Sequence, residues 1–169
     1  GLLGSVVEVV VCDVDLTSVP AEHLASLAST VTAKFSIKNV SGCDLATILK
    51  SVKCERVDIY RQSLGHEETQ ALVRAMETSV NCVGLGDVDL TSVPAEHLAS
   101  LASSVTWRVY IRNVSGCGLV TILDSVKSKE LYIKWLCLGS EETQALVRAM
   151  ESGVEMVDLS YGVTLDIRN

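Results

Sequence analysis

The stretch Asp13–Ser29, DVDLTSVPAEHLASLAS, returns without one change as Asp87–Ser103. The same shift of 74 residues lays Asn39–Cys43 (NVSGC) on Asn113–Cys117, and Glu67–Glu77 (EETQALVRAME) on Glu141–Glu151. Self-similarity at a fixed period marks a repeat architecture. Two blocks result, 13–86 and 87–160, with 155–169 closing the chain as a partial repeat or cap.

Each block divides again into three. A short alternating pair recurs at Val9/Val11, Phe35/Ile37, Val57/Ile59, Val83/Leu85, Val109/Ile111, Leu131/Ile133 and Val157/Leu159. Its second members stand 26, 22, 26, 26, 22 and 26 residues apart. Alternation at period two predicts a strand with one buried face. Behind the strands, apolar residues fall three and four apart, which predicts helices: Leu24, Leu27 and Val31; Leu45, Ile48, Leu49 and Val52; Leu72, Met76 and Val80. Pro20 and Pro94 suit a helix's first turn. Glu67, Glu68, Glu141 and Glu142 suit the positive end of the dipole, with Arg74 and Arg148 further along.

The expectation is an α/β chain, one repeat domain over 1–169, of six strand–helix units and a partial seventh. One unit cannot bury its own apolar stripe, so its neighbours must cover it. Parallel strands sit about 4.8 Å apart and packed helices about 8–10 Å. Such a stack curves into an open horseshoe solenoid, with the parallel sheet on the concave face and helices on the convex one. A closed (β/α)₈ barrel needs an eighth strand, and a doubly wound sheet would put helices on both faces.

Composition narrows the function. Nearly half the chain is apolar but only 4% is aromatic, so the core must be built of Leu, Val, Ile and Ala. A net charge of −7 argues against nucleic acid or an anionic membrane as partner. No run approaches the roughly 20 apolar residues of a membrane span, and Gly1-Leu2-Leu3-Gly4 lacks the pattern of a signal peptide. The six cysteines form no CxxC pair and read as reduced thiols, which favours the cytoplasm. Two sequons, at Asn39 and Asn113, are possible glycosylation sites and favour a secreted or cell-surface protein instead.

Catalysis finds no foothold. His23, His66 and His97 fall at or near helix starts and are expected to face solvent. No Cys/His spacing suits zinc, no glycine-rich loop suits phosphate, and Ser41-Gly42-Cys43 and Ser115-Gly116-Cys117 resemble no nucleophile motif. Neither an enzyme, a cofactor nor a metal is expected.

The two blocks share 49 residues and differ at 25, and the differences cluster. Exposed helical residues are copied: Glu22, His23, Glu67, Gln70 and Arg74 reappear as Glu96, His97, Glu141, Gln144 and Arg148. Outward strand positions diverge instead. Ser36 becomes Tyr110, Lys38 becomes Arg112, Asp58 becomes Tyr132, Tyr60 becomes Lys134, Arg61 becomes Trp135 and Gly84 becomes Asp158. Change focused on the strands is expected where they read a protein or other macromolecular ligand. The predicted binding set is Lys38, Asp58, Tyr60, Arg61, Tyr110, Arg112, Tyr132, Lys134 and Trp135, a continuous aromatic and basic stripe.

The spacing Val9-x-Val11-x-x-Val14-x-Leu16 resembles the leucine-rich-repeat segment. Its customary Asn or Cys is replaced by Val14, Val40, Val88, Val114, Gln62 or Leu136. The phrases ETQALVRAMES and NVSGCDL resemble the ribonuclease-inhibitor-like repeats of NOD-like innate immune receptors of invertebrate chordates. That resemblance implies a ligand-sensing or autoinhibitory region of a longer receptor. A surface receptor and a self-associating structural adaptor are the other readings, the latter because the ends look uncapped.

Overall fold

A computed structural model describes residues 6–116 and 118–165. Gly1–Gly4, Cys117 and Ile167 lie outside the described residues. Seven strands pair in parallel and in chain order: β1 (Val6–Cys12), β2 (Val31–Lys38), β3 (Arg56–Tyr60), β4 (Cys82–Gly86), β5 (Arg108–Arg112), β6 (Glu130–Lys134) and β8 (Met156–Asp158). Two residues of β7 (Cys137–Leu138) pair with β9 (Thr164–Leu165) in a second, smaller sheet. Between the strands run α1 (Ala21–Thr30), α2 (Leu45–Leu49), α3 (His66–Thr78), α4 (Ala95–Ser104), α5 (Leu119–Ser125) and α6 (Ser140–Glu151), each packed against the next. The chain is α/β, and its sheet is open, with β1 and β8 as its edges.

All seven alternating pairs fall in these strands or, for Leu159, just past one. Register aligns them across the sheet. One row runs Val9, Phe35, Val57, Val83, Val109, Leu131 and Val157, and a second runs Val11, Ile37, Ile59, Leu85, Ile111 and Ile133. Both rows join helix residues such as Leu49, Leu72, Leu98 and Leu146 in one apolar core. A single core on one side leaves the other side of the sheet to the polar rows.

Several element ends differ from the sequence pattern. Val31 opens β2 instead of closing α1, because β-branched Val31 and Thr32 fit an extended backbone better than a helix. In the shorter unit α2 spans five residues, so Val52 is buried in the turn beyond it. Val80 likewise follows α3. Pro20 and Pro94 cap α1 and α4 from just outside, at ψ 145° and 151°. Leu27, expected inside, is 40% exposed.

Each of β1 to β6 is followed directly by one residue in the left-handed region, Asp13, Asn39, Arg61, Asp87, Asn113 and Trp135, and Tyr161 takes it three residues past β8, all at φ between 45° and 59°. Asn and Asp tolerate this backbone. Asn39 Nδ2 donates to Asp13 Oδ1 and Asn113 Nδ2 to Asp87 Oδ1, each at 2.8 Å, so the sequon amides tie one turn to the previous one. Beyond them, Thr17 and Thr91 donate backbone N–H to Asp15 and Asp89. Gly42 lies against this corner at φ +74°, where a Cβ would stand 2.2 Å from Thr17 Oγ1. Gly116 repeats the arrangement against Thr91. The NVSGC motif therefore serves close stacking of turns.

Gln62 bonds across the turns. Its Oε1 accepts from Val40 N at 2.5 Å and its Nε2 donates to Val40 O at 3.2 Å.

Candidate interaction face

Three polar rows cross the face opposite the core. The first is Glu8, Lys34, Arg56, Cys82, Arg108, Glu130 and Met156. The second is Val10, Ser36, Asp58, Gly84, Tyr110, Tyr132 and Asp158. The third is Cys12, Lys38, Tyr60, Gly86, Arg112 and Lys134. Register thus places seven of the nine predicted binding residues on one face, in its second and third rows.

Their exposure is uneven. Tyr60, Tyr110, Tyr132 and Lys38 are half-buried, and Arg112 is exposed. Asp58 and Lys134 depart from the expected outward stripe, at 1% and 7% exposed. The reason lies in their neighbours. Gly84 and Gly86 of β4 carry no side chains, and the Asp58 carboxylate and Tyr60 ring lean over them. Asp58 then meets Arg56 Nε at 3.1 Å and Lys34 Nζ at 3.4 Å. In the second block, Lys134 Nζ donates to Asp158 at 2.8 Å and also to Ser160, between the rings of Tyr132 and Tyr161. Both charges are buried among the polar rows.

Arg61 and Trp135 stand one residue past β3 and β6, in left-handed backbone, rather than in the strands where the sequence pattern puts them. Arg61 is exposed. The Trp135 indole lies on Gly162, whose missing Cβ leaves the space, and still exposes 52% of the residue. Trp135, Arg112, Asn113 and Thr164 line a shallow open groove at this corner.

The second block concentrates the aromatics. Tyr110 and Tyr132 are adjacent in register, with ring centroids 6.4 Å apart. The Arg108 guanidinium sits 5.0 Å over Tyr132 while its Nε donates to Glu130 at 2.7 Å. Six of the chain's 14 Lys and Arg occupy the three rows, against four of its 21 Asp and Glu. The polar face is locally basic on an acidic protein. Burial, and next the Asp58 charge, push the Tyr60 phenol up to about 12, while the Lys134 hydrogen bond holds the Asp158 carboxyl below its ordinary range.

The helical side holds one arrangement the sequence did not reveal. His66 at the start of α3 and His97 in α4 approach Nδ1 to Nδ1 at 2.7 Å, with ring centroids 4.2 Å apart. One ring must donate and the other accept. Their 31-residue separation hides the pairing; only alignment of the 26-residue step from β3 to β4 brings the helix starts together. Among the described residues no group of three or more His, Cys, Asp or Glu is placed to hold a metal, and Cys12, Cys43, Cys54, Cys82 and Cys137 are free thiols. No helix among the described residues is long and apolar enough to cross a membrane.

No family model, no curated protein and no solved structure matches the chain.

Proposed function

We propose that the chain is a leucine-rich-repeat solenoid that recognises a protein partner on its strand face, the concave side of the stack. The supporting observation is a coincidence of two patterns. The blocks differ at all nine paired positions that register gathers on the polar face, while the copied exposed positions lie on helices and turns. Drift alone would change both surfaces alike. Tyr, Trp and Arg are also the residues that dominate protein-interface energetics, and Tyr110, Tyr132, Arg112 and Trp135 lie together in the second block.

The fold also suits the reading from the helical and turn phrases, that this is the ligand-sensing region of a NOD-like innate immune receptor in the cytoplasm. Asn39 and Asn113, exposed on their turns, favour a second reading as a glycosylated surface receptor. A glycosidase-sensitive mass after expression in animal cells would select the second.

Binding is tested by paired variants in a pull-down from the source tissue. Tyr132→Ala with Trp135→Ala is expected to weaken capture of a specific partner at least tenfold, about 1.4 kcal/mol, with folding unchanged by circular dichroism. Glu68→Lys and Arg74→Glu, on the helices, are expected to leave capture intact. The opposite pattern would refute the assignment.

A further inference from the structure

The charges of the polar rows do not cancel evenly. Glu8 and Asp58 hold Lys34, Asp58 also holds Arg56, Glu130 holds Arg108 and Asp158 holds Lys134. Every acid of the three rows is thereby taken. Among the described residues Lys38 and Arg112 form no salt bridge, and neither does Arg61, one residue past the third row. The third row itself contains no acid. Asp13 and Asp87 stand one residue beyond it, and the amides of Asn39 and Asn113 hold them there.

What separates Lys38 from Arg112 is uncharged. The Tyr60 ring leans over Gly86, which has no side chain to lift a ligand away. The Tyr60 phenol, pushed up to about 12 by burial and next by the Asp58 charge, adds no negative charge at neutral pH.

We propose that the third row takes an extended acidic segment of a protein partner, one carboxylate on Lys38 and another on Arg112, with an apolar side chain between them against Tyr60. The proposal rests on the strand-face reading above and names the chemistry of its ligand. The lengths agree. Lys38 on β2 and Arg112 on β5 are three strand steps apart, about 14 Å at about 4.8 Å per step. An extended chain rises about 3.4 Å per residue and returns to the same side every second residue. Carboxylates four residues apart therefore span the gap while pointing the same way, and the residue midway between them meets Tyr60. Arg61, exposed beside that path, adds to its positive field. A nucleic acid suits the row less, because a charge about every 3.4 Å along each strand would also set phosphates beside Asp13 and Asp87.

Isothermal titration calorimetry on the full chain tests it with two peptides of equal composition and charge. Acetyl-Glu-Ser-Leu-Ser-Glu-amide carries the predicted spacing, and acetyl-Glu-Glu-Leu-Ser-Ser-amide does not. The spaced peptide is expected to bind about fivefold more tightly, the worth of one charge-assisted contact. Lys38→Gln and Arg112→Gln are each expected to erase that difference while keeping native circular dichroism. Lys50→Gln, which removes the same charge at the end of α2, is expected to preserve it. Equal binding of the two peptides by the wild type would overturn the proposal, as would no binding at all. So would a preference that survives both variants, or a thymidine pentanucleotide that binds more tightly than the spaced peptide. If the peptides fail while Tyr132→Ala with Trp135→Ala still weakens partner capture, the strand face stands and the acidic occupant falls.

Discussion

At Arg61 and Trp135 the backbone is left-handed, φ +50° and +52°, where β1, β2, β4 and β5 are followed by Asp13, Asn39, Asp87 and Asn113. A bulky side chain there costs about 1–2 kcal/mol more than glycine would, and Asn escapes part of that cost. Arg61→Asn is therefore expected to raise stability by about 0.5–1 kcal/mol in urea unfolding while weakening partner capture, the exchange expected of strain kept for function. Gly42→Ala is expected to lose about 1–3 kcal/mol by the same measurement, because it adds left-handed strain and a clash with Thr17. Tyr60 sets an alkaline limit. Its phenol ionises near about 10 in the unfolded chain but at about 12 in the fold. The proton held in the fold gives stability that is complete below pH about 10 and lost as pH rises toward 12. Over that window Tyr60→Phe is expected to lose less stability than the wild type in pH-dependent urea unfolding.

Elements were legible to the degree that they depend on local pattern. Strand pairs such as Val57/Ile59 alternate in every unit, and burial of one face enforces that alternation, so their number, order and buried side could be read directly. Helix ends were less legible: the three-and-four spacing runs through Val31 and Val52, although β-branching ends α1 and a 22-residue unit shortens α2. Leu27 and Leu101 show the limit most clearly. Their flanking sequences are identical, yet one is exposed and the other buried, because burial here is set by the adjacent unit. Leu101→Glu is accordingly expected to destabilise by more than about 3 kcal/mol, since it buries a carboxylate at the α3–α4 junction. Leu27→Glu is expected to change stability by less than about 1 kcal/mol in the same thermal or urea melts.

For the whole molecule, an acidic chain turns a locally basic, aromatic face outward from its sheet. The sequence pointed to that face through the divergence between blocks. It did not show that Asp58 and Lys134 are buried there, because each is covered by cross-strand partners 24 to 26 residues away that register alone brings near. The basic excess predicts that partner association slows with added salt, as screening removes steering over a Debye length of about 10 Å at 0.1 M. The most direct measurement is a photo-crosslinking scan in extract from the source tissue, with the reactive residue placed in turn at Tyr110, Tyr132, Gln70 and Gln144. The account predicts one shared partner cross-linked from Tyr110 and Tyr132 and not from Gln70 or Gln144. A partner cross-linked from the helical positions and absent from the strand positions would contradict it.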